Sequence, residues 1–207
     1  MYRSTFSRPV RLKRSDRHAM PLQLLRTVIW RSLQMPGLEY CMLFKSPEGF
    51  NFQGQLILAS DRPYWIRYEI QCDSSWNTRS VQLTFVSGNS RSEARFQVKP
   101  RGRWWRENRE IPELRGCLDV DLGFSPATNT LPIRRLNLKQ NESGHLAAAW
   151  IRLPNQPVAP LEQIYTNLGD GNYRYQSFPR GFTADIAVDD LGLVAKYSKG
   201  WIREAAI

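Results

Sequence analysis

The sequence predicts a mainly β protein, built on one many-stranded and largely antiparallel sheet. Three observations support this fold class: apolar and polar residues alternate along most of the chain, turn signals recur at short intervals, and helical periodicity is scarce. The chain has 207 residues, 42% of them hydrophobic, which is enough for one good-sized core and excludes a disordered protein.

The alternation identifies strands, and short polar segments identify the turns between them. Clear alternation of period two is found in YWIRYEIQC, SVQLTFV and FTADIAV, residues 64–72, 80–86 and 182–188. Segments rich in Gly, Asn, Asp and Ser predict tight turns at residues 87–90, 142–144, 169–172 and 189–192. We therefore expect a dozen or more strands in one meandering sheet.

The best candidate for a helix is residues 126–136. Ser125 can cap it and Pro126 suits its first position, whereas Pro132 limits it to a short helix or breaks it into turns. A large sheet with so little helix must curl or close to protect its edges. Curling creates an interior, which is either packed or holds a ligand.

The net charge of +10 is unevenly distributed. Residues 1–20 contain six basic residues and one acidic residue, so this basic arm holds half of the excess. The remainder is only mildly basic, which argues against nucleic acid as a partner. We expect residues 1–20 to be a disordered arm or not part of the native protein, with Met20 as an alternative start, and residues 21–207 to form a single domain.

The cellular compartment of the protein is indicated by the absence of sorting signals and by the number and spacing of its cysteines. The arm has no apolar core of a secretory signal, and no apolar run approaches the ~18 residues of a membrane-spanning helix. Cys41, Cys72 and Cys117 are odd in number and widely separated, which is typical of a reducing compartment. The prediction is a cytoplasmic protein without a transmembrane segment.

Asp119 and Asp121 would share one face of a strand, opposite the apolar side chains of Val120 and Leu122. Several interpretations are open. The aspartates point to solvent, or they face a second layer as part of a structural ion pair, which we favour. A catalytic carboxylate pair is a further alternative, although such pairs normally come from different strands.

Three arginines are candidate partners for the aspartates: Arg79, Arg134 and Arg135. Arg79 falls in phase with the apolar residues Val81 and Leu83, so it is expected to enter the core face and to need an acid there. No metal or cofactor is expected, because His18 and His145 are isolated and no phosphate-binding or nucleophile motif is present.

Two aromatic segments are further candidates. KPRGRWWRENR, residues 99–109, holds Trp104 and Trp105 in a basic run that would suit nucleic acid, a lipid interface, or a plain hairpin, which we favour. CDSSWNTRS, residues 72–80, is typical of a structural corner anchored by Trp76. These three tryptophans are nevertheless candidate ligand contacts.

Seven motifs occur in a recognisable order: CDSSWNTRSV, RGRWW, RGCLDVDLGFSPATNTLPIRRL, AAAWIRLP, PLEQIYT, YRYQS and VDDLGLVAKY. Their order resembles that of the bacterial "putative glycolipid-binding protein" family over about residues 38–201, and PATNTLPIRR is the most specific of the matching segments. The resemblance implies a spiral β-roll, in which one many-stranded, largely antiparallel sheet wraps around a single α-helix. That fold is similar in shape to periplasmic carriers of lipoproteins and glycolipids, and the family's name rests on this analogy.

Within such a roll, the polar residues of the central motif are expected to form a satisfied network that borders a ligand cavity. The expected members are Asp119, Asp121, Asn129, Thr130, Arg134 and Arg79.

The leading prediction is non-enzymatic binding of a glycolipid or another amphipathic lipid in the roll interior, with Phe85, Ile66 and Val188 against the chains. The alternative is an enzyme that acts on a sugar- or phosphate-bearing substrate through an Asp/Asp/Arg cluster. Nucleic-acid binding is the weakest of the three interpretations. The expected partner is therefore a lipid, with no metal and no nucleic acid.

Overall fold

The computed structural model describes residues 22–154, 156–179 and 181–207. Within these residues, fifteen strands form one sheet, accompanied by one α-helix and two short 3₁₀ helices. The predicted mainly β fold class is confirmed. The basic arm, residues 1–20, lies outside the described residues, so its character and the domain boundary beside it stay predictions.

The strands divide into two runs along the chain. The first run comprises β1 (Gln23–Ser32), β2 (Gly37–Ser46), β3 (Gly49–Ala59), β4 (Pro63–Asp73), β5 (Thr78–Ser87), β6 (Ser90–Lys99), β7 (Arg103–Arg106) and β8 (Arg109–Glu110). The second run comprises β9 (Asp119–Leu122), β10 (Ser143–Ile151), β11 (Ala159–Gly169), β12 (Asn172–Phe178), β13 (Phe182–Val188), β14 (Val194–Tyr197) and β15 (Trp201–Ala206). The 3₁₀ helices are Pro112–Leu114 and Ala127–Asn129, and α1 is Thr130–Leu136.

The two runs join through the first strand, β1, and the last strand, β15. The spatial order is β8-β7-β6-β5-β4-β3-β2-β1-β15-β14-β13-β12-β11-β10-β9. Every neighbouring pair is antiparallel except β9 and β10, which are parallel with Asp119 opposite Ala148 and Asp121 opposite Trp150. The pairing of β1 with β15 therefore links the two runs into one sheet.

The sheet curls until the β9 end meets the inner face of the first run. The backbone N–H of Thr78 donates to the carbonyl of Leu118 at 2.9 Å, and the N–H of Val120 donates to the Thr78 hydroxyl at 3.1 Å. Phe124 packs edge-on against Phe85 of β5, with 5.7 Å between ring centroids. The innermost strand thus lies between the two halves, which is the spiral that the motif order implied.

The helix α1 fills the interior of this spiral. A 3₁₀ turn precedes it, in which the Ser125 hydroxyl accepts the N–H of Ala127 at 3.1 Å. Pro132 is tolerated because it lies in the first turn, where its missing N–H has no partner to lose. Asn137 ends the helix in the left-handed conformation at φ 46°. The predicted short helix is confirmed, and its first turn is a 3₁₀ helix.

Three of the four predicted hairpin turns join strands where expected, at residues 87–90, 169–172 and 189–192. The fourth turn lies a few residues earlier than predicted, because β10 already begins at Ser143 and the turn before it involves Lys139 and Glu142.

None of the helices in the described residues is long and apolar enough to cross a membrane. The cytoplasmic location stays a prediction.

Candidate functional site

A pocket of about 360 Å³ opens between the innermost strand and the last strands of the second run. We call it the main pocket. Aromatic side chains dominate its walls, namely Trp150, Tyr175, Phe178, Phe182, Tyr197 and Trp201. Its polar side chains are Gln34, Asp121, Ser125, Asn129 and Ser177. This composition, apolar walls with a few convergent polar groups, is typical of a small-molecule site.

Asp121 supplies the carboxylate of the main pocket. Its strand β9 turns Leu122 to the core and Asp121 to the pocket, where the side chain is partly buried. The amide of Gln163, on β11, donates to Asp121 Oδ2 at 2.6 Å. Burial raises the pKa of Asp121 to about 6, against the opposing effect of that hydrogen bond.

Asp119, two residues earlier, lies deeper and is closed off. Arg135 of α1 donates from Nη2 to Asp119 Oδ2 at 2.6 Å and from Nε to both carboxylate oxygens at 3.1 Å. Burial raises the pKa of Asp119, and the guanidinium opposes that rise. The favoured interpretation, a structural ion pair, fits Asp119, with Arg135 as the partner among the three arginines considered.

Asn129 belongs to the same neighbourhood, whereas Thr130 contributes no hydrogen bond to it. The hydroxyl of Tyr165 donates to Asn129 Oδ1 at 2.9 Å, and Asn129 borders both the main pocket and a closed crevice that it shares with Asp119 and Asp121. Thr130 is fully buried, and its hydroxyl has no hydrogen-bond partner among the described residues. The structure thus brings together Asp119, Asp121 and Asn129.

Arg79 and Arg134 lie outside this cluster, and their predicted membership is wrong. Arg79 is exposed and pairs with Asp73 at 2.5 Å. A bulge explains the error: Gln71 pairs with Ser80 and Cys72 with Thr78, so Arg79 is an extra residue and loses the phase of Val81.

Arg134 is exposed on the outer side of α1. Its Nη1 donates to the carbonyl of Asp190 at 3.3 Å, and its guanidinium lies 5.5 Å from the ring centroid of Trp76. Because adjacent helical residues point about 100° apart, α1 can direct only one of its two arginines towards β9.

The three tryptophans proposed as ligand contacts do not line the main pocket. Trp76 stacks on Phe50 with 3.7 Å between centroids, and Trp104 is fully buried with its indole N–H donating to the Cys117 carbonyl at 2.8 Å. Trp105 is partly buried beneath Lys99, whose Nζ lies 3.7 Å from the ring centroid. These positions confirm the plain hairpin and the structural corner.

The expected chain-binding residues are also placed elsewhere. Phe85 and Ile66 are packed in the core, and neither they nor Val188 borders the main pocket. The aromatic residues that do border it went unrecognised as a set. They lie on β10, β12, β13, β14 and β15. That these strands contribute to the same pocket follows only from their order in the sheet. Their one signal in the sequence is that aromatic residues recur on the inward positions of consecutive strands.

A second pocket of about 220 Å³ adjoins the first, and we call it the side pocket. The two pockets share Gln34, Gly123, Trp150 and Trp201. Met35, Leu58, Phe124 and Leu153 give the side pocket an apolar lining, and its described charged residue is Arg152. That guanidinium lies 4.3 Å from the Trp150 ring centroid and donates to the Pro157 carbonyl at 2.8 Å. The two pockets therefore adjoin, and we call them together the cleft.

A buried acid behind the cleft also escaped sequence reasoning. Glu39 on β2 is fully buried, and its Oε1 accepts the Tyr68 hydroxyl at 2.5 Å and the Ser125 hydroxyl at 2.7 Å. Its Oε2 has no hydrogen-bond partner among the described residues. Burial raises the pKa of Glu39 to about 7. Through Ser125, this acid supports the segment that lines the main pocket.

Metal ligands are not clustered in the described part of the chain, where no three His, Cys, Asp or Glu side chains are grouped for a metal ion. The three cysteines are buried and free. The cleft therefore presents hydrogen-bonding groups and aromatic surface as its chemistry.

Comparison with known proteins agrees with this architecture. A crystal structure of a DUF1089 family protein from Pseudomonas aeruginosa is similar to this chain, with a TM-score of 0.71 and 29% sequence identity over 81% of this chain and 91% of that one. No curated protein matches the chain. A family described as "Putative glycolipid-binding" matches residues 27–203. The chain therefore belongs to the family described as "Putative glycolipid-binding".

Proposed function

We propose that the protein binds a glycolipid in the cleft without converting it chemically. The observation that carries this proposal is that two pockets adjoin, because together they offer an amphipathic ligand both apolar surface and hydrogen-bonding groups. The main pocket, at about 360 Å³, would hold a sugar ring between aromatic faces and the Asp121 carboxylate. The side pocket would hold the first part of an alkyl chain.

The surface beside the side pocket supports the same proposal. Leu33, in the turn between β1 and β2, exposes 45% of its surface, and Leu38, at the start of β2, exposes 53%. This turn borders a shallow depression that shares Ser32, Gln34 and Met35 with the side pocket. An alkyl chain that leaves the side pocket would therefore continue over apolar surface instead of entering water.

The enzymatic alternative loses its predicted cluster. Asp119 is engaged by Arg135 with only 1% of its side chain exposed, and Arg134 points away from β9. Among the described residues that line the cleft, Asp121 is the one carboxylate. Binding without turnover therefore requires fewer assumptions than a reaction through the expected Asp/Asp/Arg set.

The proposal is tested first by native mass spectrometry of the purified protein, which should reveal a co-purified lipid. Calorimetric titration with octyl glucoside below its micelle concentration should then show binding. Tyr197→Ala removes one wall of the main pocket and should weaken binding by roughly tenfold. Trp105→Ala, which changes an aromatic residue outside the cleft, should leave the affinity unchanged.

A second variant tests whether the alkyl chain enters the side pocket. Met35→Trp should fill the side pocket, weakening the binding of octyl glucoside while leaving that of methyl glucoside unaltered. Absence of a co-purified lipid together with no heat of binding for octyl glucoside would reject the proposed function.

A further inference from the structure

The main pocket has a charge opposite to that of the protein. The chain carries 29 Lys and Arg against 19 Asp and Glu, yet the sole charged side chain among the described residues lining this pocket is Asp121. A phosphate, sulfate or carboxylate guest would be repelled by this carboxylate. The pocket is therefore suited to a neutral or positively charged group.

Asp121 lacks the partners that other buried aspartates of this protein have. Arg135 engages Asp119, and Asp189 receives Arg26 at 3.1 Å and Arg203 at 2.5 Å. Within the described residues Asp121 forms no ion pair, and its recorded hydrogen bond comes from the neutral amide of Gln163. A carboxylate in this position is stabilised by any guest that brings a positive charge or several donors.

Three of the other polar side chains of the pocket direct a donor into the protein. The Ser125 hydroxyl donates to Glu39, the Asn129 amide to the Pro126 carbonyl at 3.2 Å, and the Gln34 amide to the Lys199 carbonyl at 2.6 Å. The ionised Asp121 carboxylate, by contrast, can only accept hydrogen bonds. A guest that supplies donors is complementary to this arrangement.

The aromatic walls favour the same guest. Tyr175, Phe182 and Tyr197 all line the pocket and meet one another edge to face at 6.1 to 6.3 Å between centroids. Aromatic faces attract cations through their negative quadrupole. One face of this group already has an ammonium nearby, since Lys199 Nζ lies 5.8 Å from the Phe182 centroid.

We propose that the main pocket recognises a sugar head group that carries a protonated amine, bound between the Asp121 carboxylate and the faces of Tyr175 and Tyr197. This inference rests on the proposed function and specifies its ligand class. The ammonium donates to Asp121, the ring hydroxyls meet the other polar side chains of the pocket, and the aglycone enters the side pocket. The same charge disfavours an anionic head group.

Three octyl glycosides with the same chain test the inference: octyl glucosaminide, octyl N-acetylglucosaminide and octyl glucoside. Titration at pH 7.5 keeps Asp121 ionised, because its pKa is about 6. The glucosaminide should bind at least about tenfold more tightly than the other two, as expected for one partly buried charge pair.

Two matched variants locate the effect. Asp121→Asn retains a side chain that can accept from Gln163 and should abolish the preference for the amine, while octyl glucoside still binds. Asp185→Asn removes the same charge from an exposed aspartate and should preserve the preference. A circular dichroism melt of each variant verifies that it is folded.

The outcomes separate the two proposals. Equal affinity of the wild-type protein for all three glycosides, or tightest binding of the N-acetyl compound, overturns the amine inference and leaves glycolipid binding in place. An amine preference that persists in Asp121→Asn also overturns it. Failure of all three glycosides to bind rejects the proposed function itself.

Discussion

Arg135 holds Asp119 through two of its nitrogens inside the roll, and this contact joins α1 to the innermost strand. The carboxylate side chain is 1% exposed and the guanidinium 16%. Each partner would be an uncompensated buried charge without the other, so the position of the helix and the position of β9 depend on one another.

Replacement of Asp119 by alanine should therefore destabilise the protein by roughly 3–5 kcal/mol, because it leaves the Arg135 guanidinium buried without its partner. Asp185→Ala is the control, since Asp185 pairs with Arg174 at the surface and should cost only about 0–1 kcal/mol. Urea unfolding followed by fluorescence gives both values. Equal, small losses for the two variants would show that Asp119 is solvated.

Adjacent arginines on α1 should respond very differently to truncation. Arg135→Ala removes the partner of Asp119 and should lower the melting temperature strongly, whereas Arg134→Ala removes an exposed side chain and should cost less than about 1 kcal/mol. Thermal melts of the two variants side by side are sufficient. A larger loss for Arg134→Ala would mean that α1 is rotated about its axis relative to this description.

Glu39 should make folding stability depend on pH. The unfolded carboxyl group titrates near its ordinary pKa of 4.5, and the folded one near 7. The folded state therefore binds the proton more tightly, so this stability is fully present below about pH 4.5 and is lost as pH rises through 7. The loss is roughly 3 kcal/mol, at 1.36 kcal/mol for each pKa unit.

Replacing Glu39 by glutamine removes that titration. Urea unfolding at pH 5 and pH 8 should show a smaller decrease in stability for Glu39→Gln than for the wild-type protein, and the variant should be the more stable of the two at pH 8. Asp121 is present in both proteins, and its pKa is also raised in the folded state. The difference between the two pH dependences is therefore the contribution of Glu39. Identical pH slopes would contradict the prediction.

A glycine in the middle of β3 allows Tyr68 to reach Glu39. Gly54 pairs with Tyr68 on β4 and with Cys41 on β2, and a Cβ at Gly54 would overlap the Tyr68 ring and hydroxyl. Gly54→Ala should therefore cost about 1–3 kcal/mol as an overpacked site. Combining it with Tyr68→Leu should cost less than the sum of the single changes, as a double-mutant cycle would measure. Strict additivity would mean that the tyrosine does not lie over the glycine.

The sheet could be predicted from the sequence because alternation and turn chemistry are local. The strand at residues 64–72 and the turns at 87–90 and 169–172 were readable, since each depends on neighbours within a few residues. The short helix was readable for the same reason, from Ser125 and the two prolines around it.

The site was only partly predictable, because it depends on which strands meet in space. A carboxylate of the central motif, Asp121, was identified, but its partner Gln163 is 42 residues away. The bulge at Arg79 shifted a residue from one face to the other, and alternation cannot reveal a bulge. Glu39 was missed because a single acid in an apolar strand has no local signature.

The seam between β1 and β15 places both ends of the described chain side by side in the middle of the sheet. The N–H of Thr27 donates to the carbonyl of Ile207 at 2.8 Å, and Ile207 N–H returns a bond of 3.0 Å to Thr27. A linker of roughly six residues could therefore connect Ile207 to Leu22, given about 3.3 Å for each residue of strand. New ends opened in the turn after β5, at Gly88, would yield a circular permutant with the same roll, whose strands are synthesised in a different order.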